Sequence, residues 1–430
     1  MQLDLFQVPD HIQDSKISLD ELFEAYLLCR ANKRNTAIAI AFEVDYQQNI
    51  LELWRDINAG LYKPNRSVAF IIDQAVKREI FAADFRDRVV HHFIISKLNS
   101  IFEKQFIQDS YACRIGKGSH FGIQRVNRFI RKCSHNYTKD CFILKLDIKG
   151  FFMHIDRRIL YNRLEELIAK KYKGDDKLKL LRLVKINVFN DPTANCIKKS
   201  SAKKWQGLPP SKSLFHSPSG SGLPIGNLTS QIFANFYMDK FDHYIKHDLG
   251  IKFYGRYVDD FVIVHESKEY LKGLIGIIRT YLKDELRLDI HPKKIYLQHY
   301  SNGVPFLGTF IKPNRIYIGK RTKGTFYRAI LNQNEITKKA KPTIEEQVKF
   351  QSSMNSYLGI MKHYNTYKLR KKMLWKHLSP YWWNVVYLSG GYAKFVRKVR
   401  RSTASNKVYH DHRPSRSIHR TFLINTYIHF

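Results

Sequence analysis

The stretch FYGRYVDDFVIVH, residues 253–265, sets two adjacent carboxylates, Asp259 and Asp260, inside a run of aromatic and β-branched residues. The flanks read as two strands, 253–258 and 261–265, joined at a tight turn with the acids at its tip. Charged side chains are rarely buried unpaired. A turn lets both carboxylates project to one side, where each makes ionising the other costlier unless a cation lies between them. Mg²⁺ takes oxygen ligands and commonly uses one or two carboxylates together with substrate phosphates. A third acid is then expected, and Asp147 is the candidate. It closes the short apolar run CFILKLDI, 141–148, which reads as a central strand. For the Asp pair alone, the bland alternative is a hairpin with solvated turn acids.

Charge narrows the partner. The 430 residues carry 73 Lys and Arg against 38 Asp and Glu, a net charge of +35. That length suits two to four domains or one large elaborated fold. Such a charge implies a polyanion, with nucleic acid ahead of a membrane surface. No long apolar span and no signal-peptide pattern is visible. The cysteines Cys29, Cys113, Cys133, Cys141 and Cys196 are odd in number and show no C-x-x-C spacing. This argues against zinc or a disulfide framework and fits a reducing cytoplasm. From Arg321 to Phe430 there are 22 Lys/Arg and four acids, threaded with aromatics such as Tyr357, Trp375 and Trp383. That mixture suits phosphate contact with stacking.

The rest of the chain alternates helices with strands and hairpins. Ser18 and Glu21 predict a capping box. SVAFIID and VKREIFAAD predict paired strands, and helices are expected over 156–171 and 176–188. Residues 191–224, with five lysines and no acid after Asp191, read as a long basic loop. Asn227 is a candidate cap for the next helix. Short strands are expected at RLDIH, KKIYLQ, VPFLGTFI and RIYIG. Phe350, Met354, Tyr357, Met361 and Tyr364 recur at helical spacing and mark the first of about three helices in a small C-terminal bundle. His91 and His92 read as packing residues, His410–His412 as a surface cluster, and Trp382–Trp383 as core ahead of a stacking platform.

In this order the segments resemble the blocks of reverse transcriptases, the RNA-directed DNA polymerases of the right-hand fold. KREIFAADFRDRVVHHFI and DSYACRIGKGSHFGI look like the first two fingers blocks. LKLDIKGFF looks like the palm strand with its first metal ligand. GLPIGNLTSQIFANFYMDKFD is similar to the block under the incoming nucleotide, and YVDD to the paired-aspartate hairpin. HPKKIYLQ and FLGTFI resemble the last two palm blocks. The resemblance implies an α+β, right-hand polymerase fold with fingers, palm and an α-helical thumb. Its expected divisions are an N-terminal helical extension (1–66), fingers (67–140), palm (141–320) with the 191–224 insertion, and a basic thumb and tail (321–430).

The same resemblance implies roles. Asp147, Asp259 and Asp260, with Ile148, would hold two Mg²⁺ ions, Mn²⁺ being a substitute. Phe152 would exclude a ribose 2′-hydroxyl. Arg78 and Arg114 are candidate cations for the triphosphate, and Ile225, Gly226 and Gln231 line the nucleotide position. Lys294 is a candidate proton donor to pyrophosphate, with Lys293 its rival. Implied partners are a structured non-coding RNA template, the cDNA product, dNTPs and an accessory protein or homo-oligomer, with no membrane. Ile225 stands where retroviral and group II intron patterns have Gln, and Ser230–Gln231 where they have Ser-Pro. IGNLTSQ looks instead like the form in diversity-generating retroelements, whereas the length and enlarged C-terminus resemble bacterial antiviral-defence reverse transcriptases. Two readings of another class are a catalytically inactive RNA-binding scaffold and an RNA-dependent RNA polymerase; Phe152 and Tyr257 disfavour the second.

Overall fold

The computed structural model describes residues 16–31, 36–73 and 77–398; the tail with His410–His412 lies outside them. Helices α1 (Leu19–Arg30), α2 (Ala37–Glu43) and α3 (Tyr46–Asn58) come first. Ser18 caps α1 by accepting from the Asp20 amide. Glu21 does not close the expected box; it pairs with Lys97 on α4 (Phe85–Gln105). An ion pair between helices replaces the local hydrogen bond. Leu22, Tyr26, Leu53 and Ile57 pack with Phe85, Val89 and Phe93 in the main core, so the N-terminal helices are built into the body of the fold. His91 is buried, and burial pushes its imidazole down to about 3.

Strands β1 (Val68–Asp73) and β2 (Lys77–Ala82) form the expected hairpin. After it come α5 (Ser119–Cys133), β3 (Phe142–Asp147), the one-turn α6 (Phe151–His154), α7 (Arg157–Lys171) and α8 (Lys177–Phe189). The 191–224 segment is no free loop. Its β4 (Ile197–Lys198) adds to β1 in parallel, and α9 (Ala202–Trp205) follows. Buried Glu79 on β2 explains the docking: it accepts from Ser213 Oγ and the Leu214 amide, both at 2.7 Å. A buried carboxylate needs such donors.

Helix α10 (Leu228–His243) begins at Asn227, but the Asn227 side chain does not cap it. Its Oδ1 accepts from the Ala83 amide at 3.3 Å, tying α10 to the end of β2. Then come β5 (Phe253–Tyr257), β6 (Asp260–His265), α11 (Lys268–Leu286) and β7 (Tyr296–His299). The central sheet has the order β5-β6-β3-β7, antiparallel throughout. RLDIH contributes one bridge, Ile148 to Ile290, rather than a strand. Strands β8 (Val304–Phe306), β9 (Thr309–Lys312) and β10 (Arg315–Ile318) make a separate sheet.

The two faces of the central sheet have different work. Leu144, Leu146, Phe261 and Ile263 face the main core with Phe233, Tyr237 and Phe241 of α10. Ile143, Val262 and Val264 face a second cluster with Ile123, Val126 and Phe129 of α5. Strand alternation puts Lys145 and Asp147 on the Ile143 face.

The C-terminal unit holds α12 (Lys320–Lys339), α13 (Ile344–Met361), α14 (Tyr367–His377) and α15 (Pro380–Val385). An unexpected hairpin, β11 (Val386–Ser389) with β12 (Lys394–Arg397), closes it. Phe350, Met354 and Met361 are buried, as the spacing predicts. Trp382 is fully buried and stacks on Phe350 at 3.9 Å, whereas Trp383 is half-buried. Tyr364 touches both this core and the second cluster of the central sheet. Among the described residues no helix is long and apolar enough to cross a membrane. None of the five cysteines is in a disulfide. Trp382→Ala is expected to cost about 3–5 kcal/mol, read as a lowered urea midpoint for the C-terminal unit.

Candidate active site

Asp147 ends β3 and Asp260 begins β6, and the antiparallel register sets them directly opposite each other. Opposed residues share a face with Cβ atoms about 4.5–5.5 Å apart. Tyr257 also pairs with Asp260, so Val258 and Asp259 form a two-residue turn. Val258 sits at φ +56°, a left-handed conformation that a β-branched residue adopts at a cost. Surrounding bonds hold it there. The Ile148 amide donates to the Asp259 carbonyl at 3.2 Å. Arg256, 0% exposed, donates to the Val258 carbonyl at 2.9 Å and from Nε to Asp242 Oδ1 of α10 at 2.7 Å. Tyr254 donates to the same Asp242 oxygen at 2.6 Å. The turn is thereby bolted to the helix behind it.

The acids crowd one another. Burial pushes the Asp259 carboxyl up to about 7, and the charges of Asp260 and Asp147 add to the shift while Lys294 opposes it. Burial also raises Asp260, against the pull of Lys145. Lys294 Nζ reaches both oxygens of Asp147, at 2.8 and 2.9 Å. Of the two rival lysines it is therefore Lys294 that meets a site carboxylate; Lys293 is exposed, its backbone amide donating to His291 Nδ1. Lys145 Nζ lies 3.1 Å from Asp260 Oδ1 but outside hydrogen-bonding geometry, so that buried oxygen lacks a hydrogen bond. Among the described residues no three acidic, His or Cys side chains form a closed metal cluster. The donor chemistry still fits a hard divalent cation: three carboxylates from paired elements, one buried oxygen without a hydrogen bond, and mutual repulsion.

The remaining candidates lie in two groups. Phe152 on α6 and Ile225 both pack against the small cluster of Ala69, Phe81, Met153 and Leu214. The Leu223 amide donates to the Phe152 carbonyl and the Phe81 amide to the Ile225 carbonyl, both at 2.8 Å. Gly226 follows at φ +128°, where an added Cβ would lie 2.6 Å from the Phe81 carbonyl oxygen. Only glycine lets this segment lie so close to β2. Arg78 is exposed on β2. Arg114, by contrast, is buried and committed, pairing with Glu103 at 2.9 Å and donating to the Ile107 and Ser110 carbonyls. Gln231, in the first turn of α10, accepts from Cys113 Sγ at 3.2 Å.

Two residues of the site escape the sequence reading. Lys145 lies two residues before Asp147, and strand alternation alone puts both on one face. Arg256 interrupts an aromatic strand just as the acids do, and the same question about buried charge applies to it.

A family model described as "Reverse transcriptase (RNA-dependent DNA polymerase)" matches residues 75–311. This span exceeds half of the chain and contains all the candidate site residues. The molecule is thus an α+β protein of the right-hand polymerase class. It belongs to the reverse transcriptase family. The "Putative COX1/OXI3 intron 2 protein" of Saccharomyces cerevisiae is 22% identical over 318 residues, 61% of this chain and 34% of that protein. "Protein YkfC" of Escherichia coli is 22% identical over 294 residues, 60% of this chain and 70% of that one. The chain therefore spans about a third of the yeast relative's length. Among solved structures, telomerase from Candida albicans with a TWJ fragment of telomeric RNA aligns at a TM-score of 0.43, with 11% identity, over 78% of this chain and 66% of that one.

A raised carboxyl holds more protons folded than unfolded between roughly pH 4 and pH 7, so stability falls as pH rises through that window and levels off above it. In metal-free buffer the wild type should therefore lose stability over this range more steeply than Asp259→Asn, measured by urea denaturation at each pH.

Proposed function

We propose that the chain is an RNA-directed DNA polymerase that extends a primer on an RNA template by two-metal nucleotidyl transfer. The observation that carries this reading is the opposition of Asp147 and Asp260 with Asp259 at the adjoining turn. In the palm of such an enzyme, Asp147, Asp259 and Asp260, with the Ile148 carbonyl, would hold the Mg²⁺ ions. Bound there, the ions supply activation of the primer 3′-hydroxyl and neutralise charge on the triphosphate and pyrophosphate.

The chain's own side chains do the rest. Lys294 Nζ gives a proton to the leaving pyrophosphate oxygen; its ion pair with Asp147 holds it next to the site in the meantime. Phe152 bars the 2′-hydroxyl. Ile225 and Gly226 form an apolar floor on β2, and Arg78 meets the triphosphate from the fingers. Arg114 shapes the fingers through Glu103, and Gln231 fixes the start of α10 beneath the nucleotide.

The setting we propose is bacterial antiviral defence, supported by the N-terminal helices built into the core and the large basic C-terminal part. The template would be a structured non-coding RNA. The form of IGNLTSQ supports a diversity-generating retroelement as the second reading. Sequencing cDNA co-purified with the protein separates them: repetitive or homopolymeric product indicates defence, and a single copy mutated at adenines indicates diversification.

Primer extension on RNA with dNTPs and Mg²⁺ tests the activity. Incorporation is expected in the wild type and background levels in Asp259→Ala/Asp260→Ala; undiminished extension in that double variant would sink the mechanism. Lys294→Ala should lower the chemical step about 10²-fold, read as the rate of single-turnover incorporation. Independently of turnover, millimolar Mg²⁺ should raise the melting temperature of the wild type and not that of the double variant.

A further inference from the structure

Trp375 on α14 is 60% exposed, an uncommon place for the largest aromatic side chain. It is nonetheless held rigidly. Its Nε1 donates to Tyr392 Oη in the β11–β12 turn. Its ring stacks on Trp383 at 4.9 Å and 17°, and Trp383 in turn rests on Phe395 at 5.9 Å. Tyr367, two turns earlier on the same face of α14, is also exposed and meets Tyr392 edge-on at 5.4 Å. These rings form a continuous row in which Trp375, stacked on Trp383, is the most exposed member.

The charge around the row has one sign. Residues 347–398 contain ten Lys and Arg and no acid. Lys368, Lys371, Lys372 and Lys376 are exposed on α14 on either side of Trp375. A fixed ring ringed by lysines offers stacking to a planar base and ion pairing to the phosphates beside it. Bases in a duplex already have both faces covered, so the base must be unpaired.

We propose that this row binds single-stranded RNA, stacking an unpaired nucleobase on Trp375 and seating the adjoining phosphates on the α14 lysines. The residues of this row belong to the C-terminal unit and include none of the three site carboxylates. Naming RNA as the strand rests on the template class proposed above; the stacking itself does not.

The test is binding by the full chain without dNTPs, so a chain that failed to polymerise would still report on it. Fluorescence anisotropy would be followed with a short unstructured RNA, the same sequence as a duplex, as DNA, and with abasic residues. Trp375→Ala should weaken single-strand binding about tenfold or more, and Trp375→Phe should restore most of it. Abasic substitution should weaken binding to the unaltered chain but add little in Trp375→Ala. Lys371→Ala/Lys372→Ala should lower the salt slope by about 1.4. Equal affinity of wild type and Trp375→Ala, insensitivity of the unaltered chain to abasic residues, or equal loss on the duplex would overturn the site. DNA bound as tightly as RNA, with the same dependence on Trp375, would overturn the assignment to RNA.

Discussion

The constraint on which this structure depends is a register. Asp147 faces Asp260 because Leu146 faces Phe261 and Leu144 faces Ile263, and those apolar pairs fill the main core beside α10. A one-residue slip would turn every side chain to the other face. It would move Leu144 and Leu146 out of the main core to the face under α5 and turn Lys145 and Asp147 into that core. Hydrophobic burial along the strands therefore aims the acids at their ends. The repulsion they create is offset locally by Lys294 and Lys145, and the turn that carries Asp259 is fixed from behind by the buried Arg256–Asp242 pair.

Much of the fold was legible because its signals are local. The strand ending in Asp147, the hairpin around Asp259, the helices at 157–171 and 177–189 and the spacing of Phe350, Met354 and Met361 each announce themselves within a short window. The meeting of the three acids was legible for a related reason. Three acids at strand ends are costly to ionise together, and cost of that kind shows in the sequence.

What was not legible depends on partners far away in the chain. Glu21 makes a good capping-box residue until Lys97 is placed beside it. Asn227 makes a good cap until the Ala83 amide arrives. The basic 191–224 segment has a loop's composition, and only the buried Glu79 on β2 reveals why it docks. Arg114 looked free to meet a phosphate because Glu103 stands eleven residues away on a different element. Trp382 and Trp383 share a sequence environment and diverge in space, one in the core and one under the exposed Trp375.

The parallel pairing of β4 with β1 has a consequence for synthesis. Between the two strands lie α4, α5, β3, α7 and α8, so the β1–β2 hairpin leaves the ribosome long before its third strand exists. Until then Glu79 has neither Ser213 nor Leu214 to bond, and the hairpin's outer edge stays open. Closing so long a connection is slow compared with forming helices, and emerging chains meet the hazard of open strand edges. Maturation of the N-terminal half is thus set by the arrival of residues that come after its own helices, and a nascent chain halted before residue 197 would present an unfinished sheet.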